Sequence, residues 1–196
     1  MKLVTRAQWG ARPPSADWTY VSGTLGVKVH YEGTPVPSEL QNHHDWCAGR
    51  VRDIQASHMA NTSEGYIDIA YSAMVCPHGY VFEGRGLHHK TAANGNGTLN
   101  QNHYAVCGMV GDSGLTQPSD AMLNGIRDAI EWFRAQGGAG NEIKGHRDGY
   151  ATSCPGEPLY NWVRAGAPRP TVPTPPSPPA PVPTHRVPLI LRLTGV

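Results

Sequence analysis

A histidine and a cysteine lie eight residues apart in one short segment that closes on Pro-Gly. They are His146 and Cys154, within residues 145–156. Imidazole and thiolate both bind zinc well, but two ligands leave the metal half-coordinated. We expect the third ligand to be His30, because the alternating apolar run of residues 27–33 predicts a strand that would hold its side chain rigidly. Two histidines and one cysteine leave one position open, as a catalytic zinc requires.

The elements that must position these residues are predicted within residues 1–166. Apolar spacing predicts helices over 48–59, 119–136 and 157–163; the second has Ser119 as its cap, and the third has Pro158 in its first turn. Strands are predicted at 25–31, 69–76, 80–83 and 104–110, with residues 77–79 as a hairpin-like connection. Strands separated by helices, with one hairpin, indicate an α/β fold with a mixed central sheet flanked by helices.

Charge and hydropathy exclude several classes of partner. The 196 residues carry a formal net charge of +1 and 16% charged residues, without the basic stripe that nucleic-acid binding needs. The longest apolar run, 187–193, is short and contains Arg192, so we expect no membrane insertion. Residues 1–20 lack the apolar core of a signal peptide. We therefore expect a soluble monomer that is not exported by the Sec route.

The four cysteines are expected to be free thiols, because a chain without an export signal matures in a reducing compartment. They are Cys47, Cys76, Cys107 and Cys154. Cys76 and Cys107 lie in apolar runs and are interpreted as small buried hydrophobic residues. A bridge between these two remains an alternative.

The composition changes at residue 167. Ten of the 18 prolines lie between 168 and 188, which favours extended polyproline conformations and predicts a linker over 167–188. Residues 189–196 are too few for a domain, so they are either a tail or the start of a truncated wall-binding module.

Several separate blocks resemble one known family. They are His30, residues 68–72, residues 79–86, residues 145–148 and residues 152–156. In order and spacing, residues 3–166 resemble the type 2 N-acetylmuramoyl-L-alanine amidases, the family that includes peptidoglycan recognition proteins and phage lysozyme-amidases. The resemblance implies their fold and a Zn²⁺ cofactor held by His30, His146 and Cys154.

The resemblance also implies the catalytic groups. Tyr71 falls on the family's catalytic tyrosine, whose phenol can orient water and donate to an oxyanion. Thr152 falls where family members carry Lys or Thr, and we expect it to help rather than to act as a strong base. The proton-transfer group stays open: Glu32 shares a strand face with His30, and Asp148 is the other candidate. For Asp148, a turn cap or a hydrogen bond to a ligand histidine is the competing interpretation.

Candidate substrate contacts are Arg85, Glu32, Asn94 and Asn96. Arg85 could equally pin the hairpin through a salt bridge. Residues 94–98 are predicted to form a flexible polar loop. The stretch 88–102 departs from the usual family pattern, resembles phage endolysins of actinobacterial hosts and is expected to line the groove. Surface or hydrogen-bonding roles are expected for His43, His44, His58, His78, His88, His89 and His103, and the pair His43-His44 is the chief decoy for a metal site.

The leading hypothesis is a zinc amidase that cuts between N-acetylmuramic acid and L-alanine of peptidoglycan. A phage endolysin, made in the host cytoplasm and acting on the cell wall after release, would fit the proline-rich linker. The alternatives are a non-catalytic peptidoglycan recognition protein and a bacterial autolysin.

Overall fold

A computed structural model describes residues 1–170; most of the expected linker and all of the tail 189–196 lie outside these residues. The elements are β1 (Lys2–Val4), α1 (Arg6–Trp9), β2 (Thr24–Tyr31), α2 (His44–Ala60), β3 (Ala73–Val75), β4 (Tyr80–Glu83), α3 (Gly97–Asn102), β5 (His103–Gly108), α4 (Asp120–Gln136), β6 (Ala139–Gly145) and α5 (Glu157–Arg164), with a 3-10 turn at Ser38–Asn42 before α2. The strands form a six-stranded mixed sheet in the order β1-β4-β3-β5-β2-β6, in which β3 and β4 pair antiparallel and all other neighbours pair parallel. This confirms the predicted class.

The two faces of the sheet carry different partners. A side chain at Gly108 on β5 would meet Met122 and Ile126 of α4, so α4 packs on the face to which Gly108 belongs. His30 pairs with Cys107, the preceding residue of β5. Because successive side chains of a strand alternate between faces, His30 projects to the face opposite α4.

The helices largely follow the predicted pattern. Helix α4 begins as expected, with the Ser119 hydroxyl accepting a hydrogen bond from the Met122 amide at 3.0 Å. Helix α5 has Pro158 in its first turn. Helix α2 begins four residues earlier than predicted, at His44, and has no side-chain cap.

The predicted strand 69–76 is wrong over its first half. Only Ala73–Val75 form β3, and Ile69 to Ser72 form a loop. Side chains donate hydrogen bonds to the carbonyls of this loop: Arg85 Nε donates to Ile69 O at 2.8 Å, and Thr91 Oγ1 donates to Ala70 O at 2.7 Å. With its hydrogen bonds made this way, the apolar segment needs no strand partner.

Strands β1 and β6 and helices α1 and α3 were not predicted. Strand β6 lies at the sheet edge beside β2, and its partly exposed sequence lacks the apolar alternation of a half-buried strand. Strand β1 and helix α3 are short. Of these, β6 matters most, because it delivers the chain to His146.

All four cysteines are buried free thiols, and no Cys76–Cys107 bridge forms. Ala167, placed in the expected linker, is buried, and Arg169 pairs with Asp128 and Glu131 of α4. Within residues 1–170, no helix combines the length and apolar character needed to cross a membrane.

Candidate metal centre and its cleft

The three predicted metal ligands converge at one end of the sheet. His30 is the penultimate residue of β2, His146 follows β6, and Cys154 lies on the loop before α5. Their ligand atoms all lie within 4.8 Å of one another. The Cys154 sulfur is 3.5 Å from His30 Nδ1, and the two histidine rings have centroids 4.5 Å apart. The three side chains can therefore hold one metal ion between them.

The orientation of His30 is fixed by Asn94. His30 Nε2 lies 2.8 Å from Asn94 Oδ1, while Asn94 Nδ2 donates to the carbonyls of Leu99 and His103. The amide oxygen can only accept, so His30 Nε2 carries the proton and Nδ1 presents a lone pair toward Cys154. Burial, followed by repulsion from His146, lowers the pKa of His30 to about 3, so the ring is neutral.

His146 contributes a ring nitrogen that has no partner among the described residues. Its Nε2 is buried without a hydrogen bond. Burial, with a smaller effect of the Lys28 charge, lowers the pKa of His146 to about 4. A buried, neutral, unpaired imidazole nitrogen beside a second imidazole and a thiol is what a bound cation would satisfy.

A buried lysine holds the start of the loop that carries His146 and Cys154. Lys28, two residues before His30 on the same strand face, is fully buried and donates to the carbonyls of His146 (3.4 Å) and Asp148 (2.5 Å). The Asp148 carboxylate accepts from the Gly145 amide and from the Tyr160 hydroxyl. Asp148 thus has the role of a turn cap, which was the competing interpretation of this residue.

Tyr71 borders the same site from the loop that replaces the predicted strand. Its ring lies 5.5 Å from the His30 ring and 5.5 Å from the His58 ring. The loop is anchored at its start by Asp68, which accepts from the Gln55 side chain at 2.6 Å. Burial raises the pKa of Tyr71 well above its ordinary value, so its phenol stays protonated and can donate.

A cleft of about 310 Å³ opens over the ligands. Tyr71 and Thr152, the two predicted catalytic residues, both line it, and the Thr152 hydroxyl also accepts from the Cys154 amide at 3.2 Å. Glu32 is the one acid among the described residues that line this cleft. Its carboxylate is nearly buried and forms a bidentate pair with Arg50, with contacts of 2.5–2.8 Å. Burial raises the pKa of Glu32, and the Arg50 pair acts in the opposite direction.

A second cleft of about 400 Å³ adjoins the first and shares Tyr66, Ala93 and His146 with it. Six residues of the stretch 88–102, which was expected to line the groove, border this cleft: Lys90 to Ala93, Gly95 and Asn100. Arg85 also lines it, but its Nε and Nη1 donate to the carbonyls of Ile69 and Lys90, so it supports the Tyr71 loop.

The expected substrate contact Asn94 was wrong, and Asn96 has a capping role. Asn94 is fully buried beneath His30. Asn96 is the N-cap of α3 and accepts from the Leu99 amide. Neither residue lines the two clefts. The segment 94–98 is thus an ordered cap and support, because its amide groups satisfy backbone atoms around β5 and α3.

His58 is a candidate site residue that the sequence interpretation missed. It lines the cleft beside Tyr71, and its Nδ1 accepts from the Ala70 amide at 3.0 Å. Its proton is therefore on Nε2. Burial lowers the pKa of His58 to about 4, which keeps the ring neutral. Its position in α2 at an interval of three residues from the buried Gln55 could have indicated an inward-facing side chain.

Comparison with known proteins bears on this arrangement. No protein-family model matches the chain. N-acetylmuramoyl-L-alanine amidases from Sus scrofa and Mus musculus are 31% and 32% identical over 163 and 165 residues, covering 81% of this chain but only 26% and 29% of their own length. The chain thus spans little more than a quarter of these curated relatives. Peptidoglycan-recognition protein SC1a/b of Drosophila simulans is 28% identical, with 83% of this chain and 84% of the relative covered.

The solved structures that are similar to this chain are also peptidoglycan recognition proteins. Wild-type Drosophila PGRP-LB superposes with a TM-score of 0.71 and 25% identity, covering 83% of this chain and 92% of its own. Peptidoglycan Recognition Protein-1 of Manduca sexta gives 0.70 and 26%, covering 84% and 90%. The chain is therefore a homologue of the N-acetylmuramoyl-L-alanine amidases and peptidoglycan recognition proteins, and it has their fold.

Proposed function

We propose that this protein is a zinc-dependent amidase that cleaves the bond between N-acetylmuramic acid and the L-alanine of the peptidoglycan stem peptide. The observation that carries the proposal is the convergence of His30, His146 and Cys154 at the floor of an open cleft that Tyr71 borders. Three protein ligands with a free side toward a cleft are typical of a catalytic rather than a structural zinc site.

The distances suit zinc. With ordinary Zn–N and Zn–S bonds and a tetrahedral angle, a nitrogen and a sulfur ligand lie about 3.6 Å apart. Cys154 Sγ and His30 Nδ1 are 3.5 Å apart. The unpaired Nε2 of His146 supplies the remaining protein donor. One thiolate and two neutral imidazoles form a set that zinc prefers over magnesium or calcium, which favour oxygen ligands.

Zinc held there would polarise the amide carbonyl and lower the pKa of a bound water. The protein's own groups perform the remaining tasks. Asn94 holds the His30 ring in the productive tautomer. The Tyr71 phenol, kept protonated by burial, donates to the oxygen on which negative charge develops. His58, neutral and protonated on Nε2, is a second donor on the same wall.

We assign proton transfer to Glu32. Asp148 caps a turn by accepting from Gly145 and Tyr160 and does not line the cleft, whereas Glu32 does. Burial raises the pKa of Glu32, and a carboxylate with a raised pKa accepts and returns a proton more readily near neutral pH. Thr152 contributes a hydroxyl beside the metal and no charge.

The two adjoining clefts together suit an extended, polar substrate. Their combined wall carries tyrosines, histidines, hydroxyl groups and Lys90, with few large aliphatic side chains. The structural neighbours include a Drosophila PGRP-LB mutant in complex with tracheal cytotoxin, which is 24% identical with a TM-score of 0.72. We infer that the stem peptide and its glycan lie along the two adjoining clefts of this protein.

The test is digestion of purified peptidoglycan with and without a zinc chelator, followed by mass spectrometry. New L-alanine amino termini without new reducing sugar ends are expected, and the chelator should abolish them. New reducing ends would indicate a glycosidase and overturn the proposal. Binding of peptidoglycan without any cleavage would favour the alternative of a non-catalytic recognition protein.

The biological setting that we propose is a phage endolysin that lyses its host. The proline content of residues 168–188 supports a linker between a catalytic and a wall-binding module. Expression of the full chain in a host whose wall it digests, with and without a pore-forming membrane protein, tests this. Lysis that depends on the pore supports an endolysin, whereas lysis without it favours an autolysin.

A further inference from the structure

A second group of metal-binding side chains lies away from the cleft. His44, Cys47, Cys76 and His78 have ligand atoms that all lie within 4.8 Å of one another. None of the four lines the two clefts described above. His44 is fourteen residues before His58 on α2, which corresponds to about 21 Å along the helix.

Two local structures bring the four side chains together. His44 and Cys47 are three residues apart in the first turn of α2, so they share a face of the helix. Cys76 and His78 flank Pro77 in the turn that joins β3 to β4. Each local structure thus presents one imidazole and one thiol to the other, and both cysteines are buried.

The separations match those of a tetrahedral site. Cys47 Sγ and Cys76 Sγ lie 3.7 and 3.8 Å from His78 Nδ1, and Cys76 Sγ lies 3.9 Å from His44 Nδ1. Ordinary zinc bond lengths place nitrogen and sulfur ligands about 3.6 Å apart, so each contact needs to shorten by only a few tenths of an ångström. Thiol–imidazole hydrogen bonds alone would not require four such groups to meet at one point.

We propose that His44, Cys47, Cys76 and His78 bind a second zinc ion in a closed, structural site. Four protein ligands fill the tetrahedral coordination shell and leave no position for water or substrate. This site would therefore stabilise the fold and take no part in the reaction. It is independent of the amidase proposal, since it shares no ligand with the His30 site.

The local structure shows what such a site stabilises. The start of α2 has no side-chain cap, and its first turn is where His44 and Cys47 lie. The turn on the other side is also tied to α4, because the Ser119 hydroxyl donates to Pro77 O. A zinc ion here would link the uncapped end of α2 to the β3–β4 hairpin, and through the hairpin to α4.

The Cys76 sulfur contacts both imidazoles of the cluster, at 3.8 Å from His78 Nδ1 and 3.9 Å from His44 Nδ1. Tyr80 stacks on the His44 ring at 4.0 Å between centroids, which restrains an otherwise exposed ligand. The competing chemistry is a Cys47–Cys76 disulfide, which would leave both histidines without a ligand role.

Metal content separates these possibilities. The full chain, purified under reducing conditions and stripped of loosely bound metal, is expected to hold two zinc ions per chain. Cys154→Ala should hold one, and Cys154→Ala combined with Cys76→Ser should hold none. Cobalt substitution of Cys154→Ala should give the intense near-ultraviolet thiolate band and the visible bands of tetrahedral Co²⁺.

A milder pair of variants covers the case in which Cys76→Ser fails to fold. His44→Ala removes an exposed ligand and should weaken one of the two zinc ions at least tenfold in chelator competition. The matched control is His43→Ala, one residue away and outside the cluster, which should keep both. Cys107→Ser should also keep both.

Three results would overturn the proposal. One is a Cys154→Ala protein that binds no zinc or cobalt. Another is equal metal affinity in His44→Ala and His43→Ala. The last is a Cys47–Cys76 disulfide in protein purified under reducing conditions, seen as a mass two units lower and as two thiols closed to alkylation. Loss of amidase activity is not among the readouts, so failure of the catalytic proposal leaves this test intact.

Discussion

Asn94 Oδ1 accepts the Nε2 proton of His30 at 2.8 Å, and this one hydrogen bond determines which ring nitrogen faces Cys154. Asn94 is itself held by the carbonyls of Leu99 and His103. The direction in which His30 presents its free nitrogen is thus set by a residue that lies outside the group of three converging side chains and lines neither cleft. The same arrangement gives the ring its position without using the free nitrogen.

We predict that Asn94→Ala weakens zinc binding at the His30 site by about 10–100-fold, because the ring loses the partner that fixes its tautomer and orientation. Reactivation of metal-free enzyme in zinc buffers measures this affinity. The matched control is Asn96→Ala, which removes the α3 cap at a cost of about 1 kcal/mol and should leave zinc affinity unchanged. Equal effects of the two substitutions would contradict an orienting role for Asn94.

Tyr71→Phe should lower kcat by about 10²–10³-fold while zinc content and thermal stability stay close to those of the wild type, because the variant loses one donor to the developing oxyanion. Steady-state kinetics on a soluble muropeptide measure the effect. Tyr20→Phe is the control, since Tyr20 is exposed and lies outside both clefts. Wild-type kcat in Tyr71→Phe would remove the phenol from the mechanism.

The convergence of His30, His146 and Cys154 was predictable because the spacing of these residue types is distinctive. The alternation around His30 indicated a strand, and His30 does lie on one. Alternation also placed Lys28 on the same face, but lysine is rarely buried, and only the carbonyls of His146 and Asp148 explain its position.

The errors share one physical origin. Composition shows which groups are polar, but it does not show which distant backbone atoms they satisfy. Asn94 lies in a glycine-rich segment that resembles a mobile loop, yet its side-chain amide makes hydrogen bonds to three partners, one each in β2, α3 and β5. The run at 69–72 resembled a strand because it is apolar. The side chains that donate to its carbonyls, those of Arg85 and Thr91, lie more than fifteen residues away, so the local sequence does not show that these carbonyls are satisfied without a strand partner.

Glu32→Gln should reduce kcat/KM by about 10²–10⁴-fold with zinc retained, because the amide that replaces the carboxylate cannot accept a proton. A second variant, Arg50→Met, tests the role of Glu32 through its pKa. Burial raises the pKa of Glu32 and Arg50 opposes this, so removing Arg50 should raise that pKa further.

A base acts when it is deprotonated, so the acidic limb of the pH profile of kcat/KM should move to higher pH in Arg50→Met. The alkaline limb should stay in place. A purely structural ion pair would instead lower the rate at every pH without moving the acidic limb, and that outcome would exclude Glu32 as the base.

Zinc binding at the His30 site should release about one proton per ion in mildly acidic solution. Burial lowers the pKa of His30 to about 3 and that of His146 to about 4, so both rings are already neutral and release none. Burial raises the pKa of Cys154 to about 12, so without metal its thiol keeps the proton that zinc must displace. Zinc affinity should therefore rise about tenfold per pH unit between about pH 5 and 6.5.

Reactivation of metal-free enzyme in zinc buffers measures this pH dependence of zinc affinity for the catalytic ion alone. Cys154→Asp, whose carboxylate is largely ionised over this range, should flatten the slope, and a slope near two in the wild type would show that a ligand histidine also titrates.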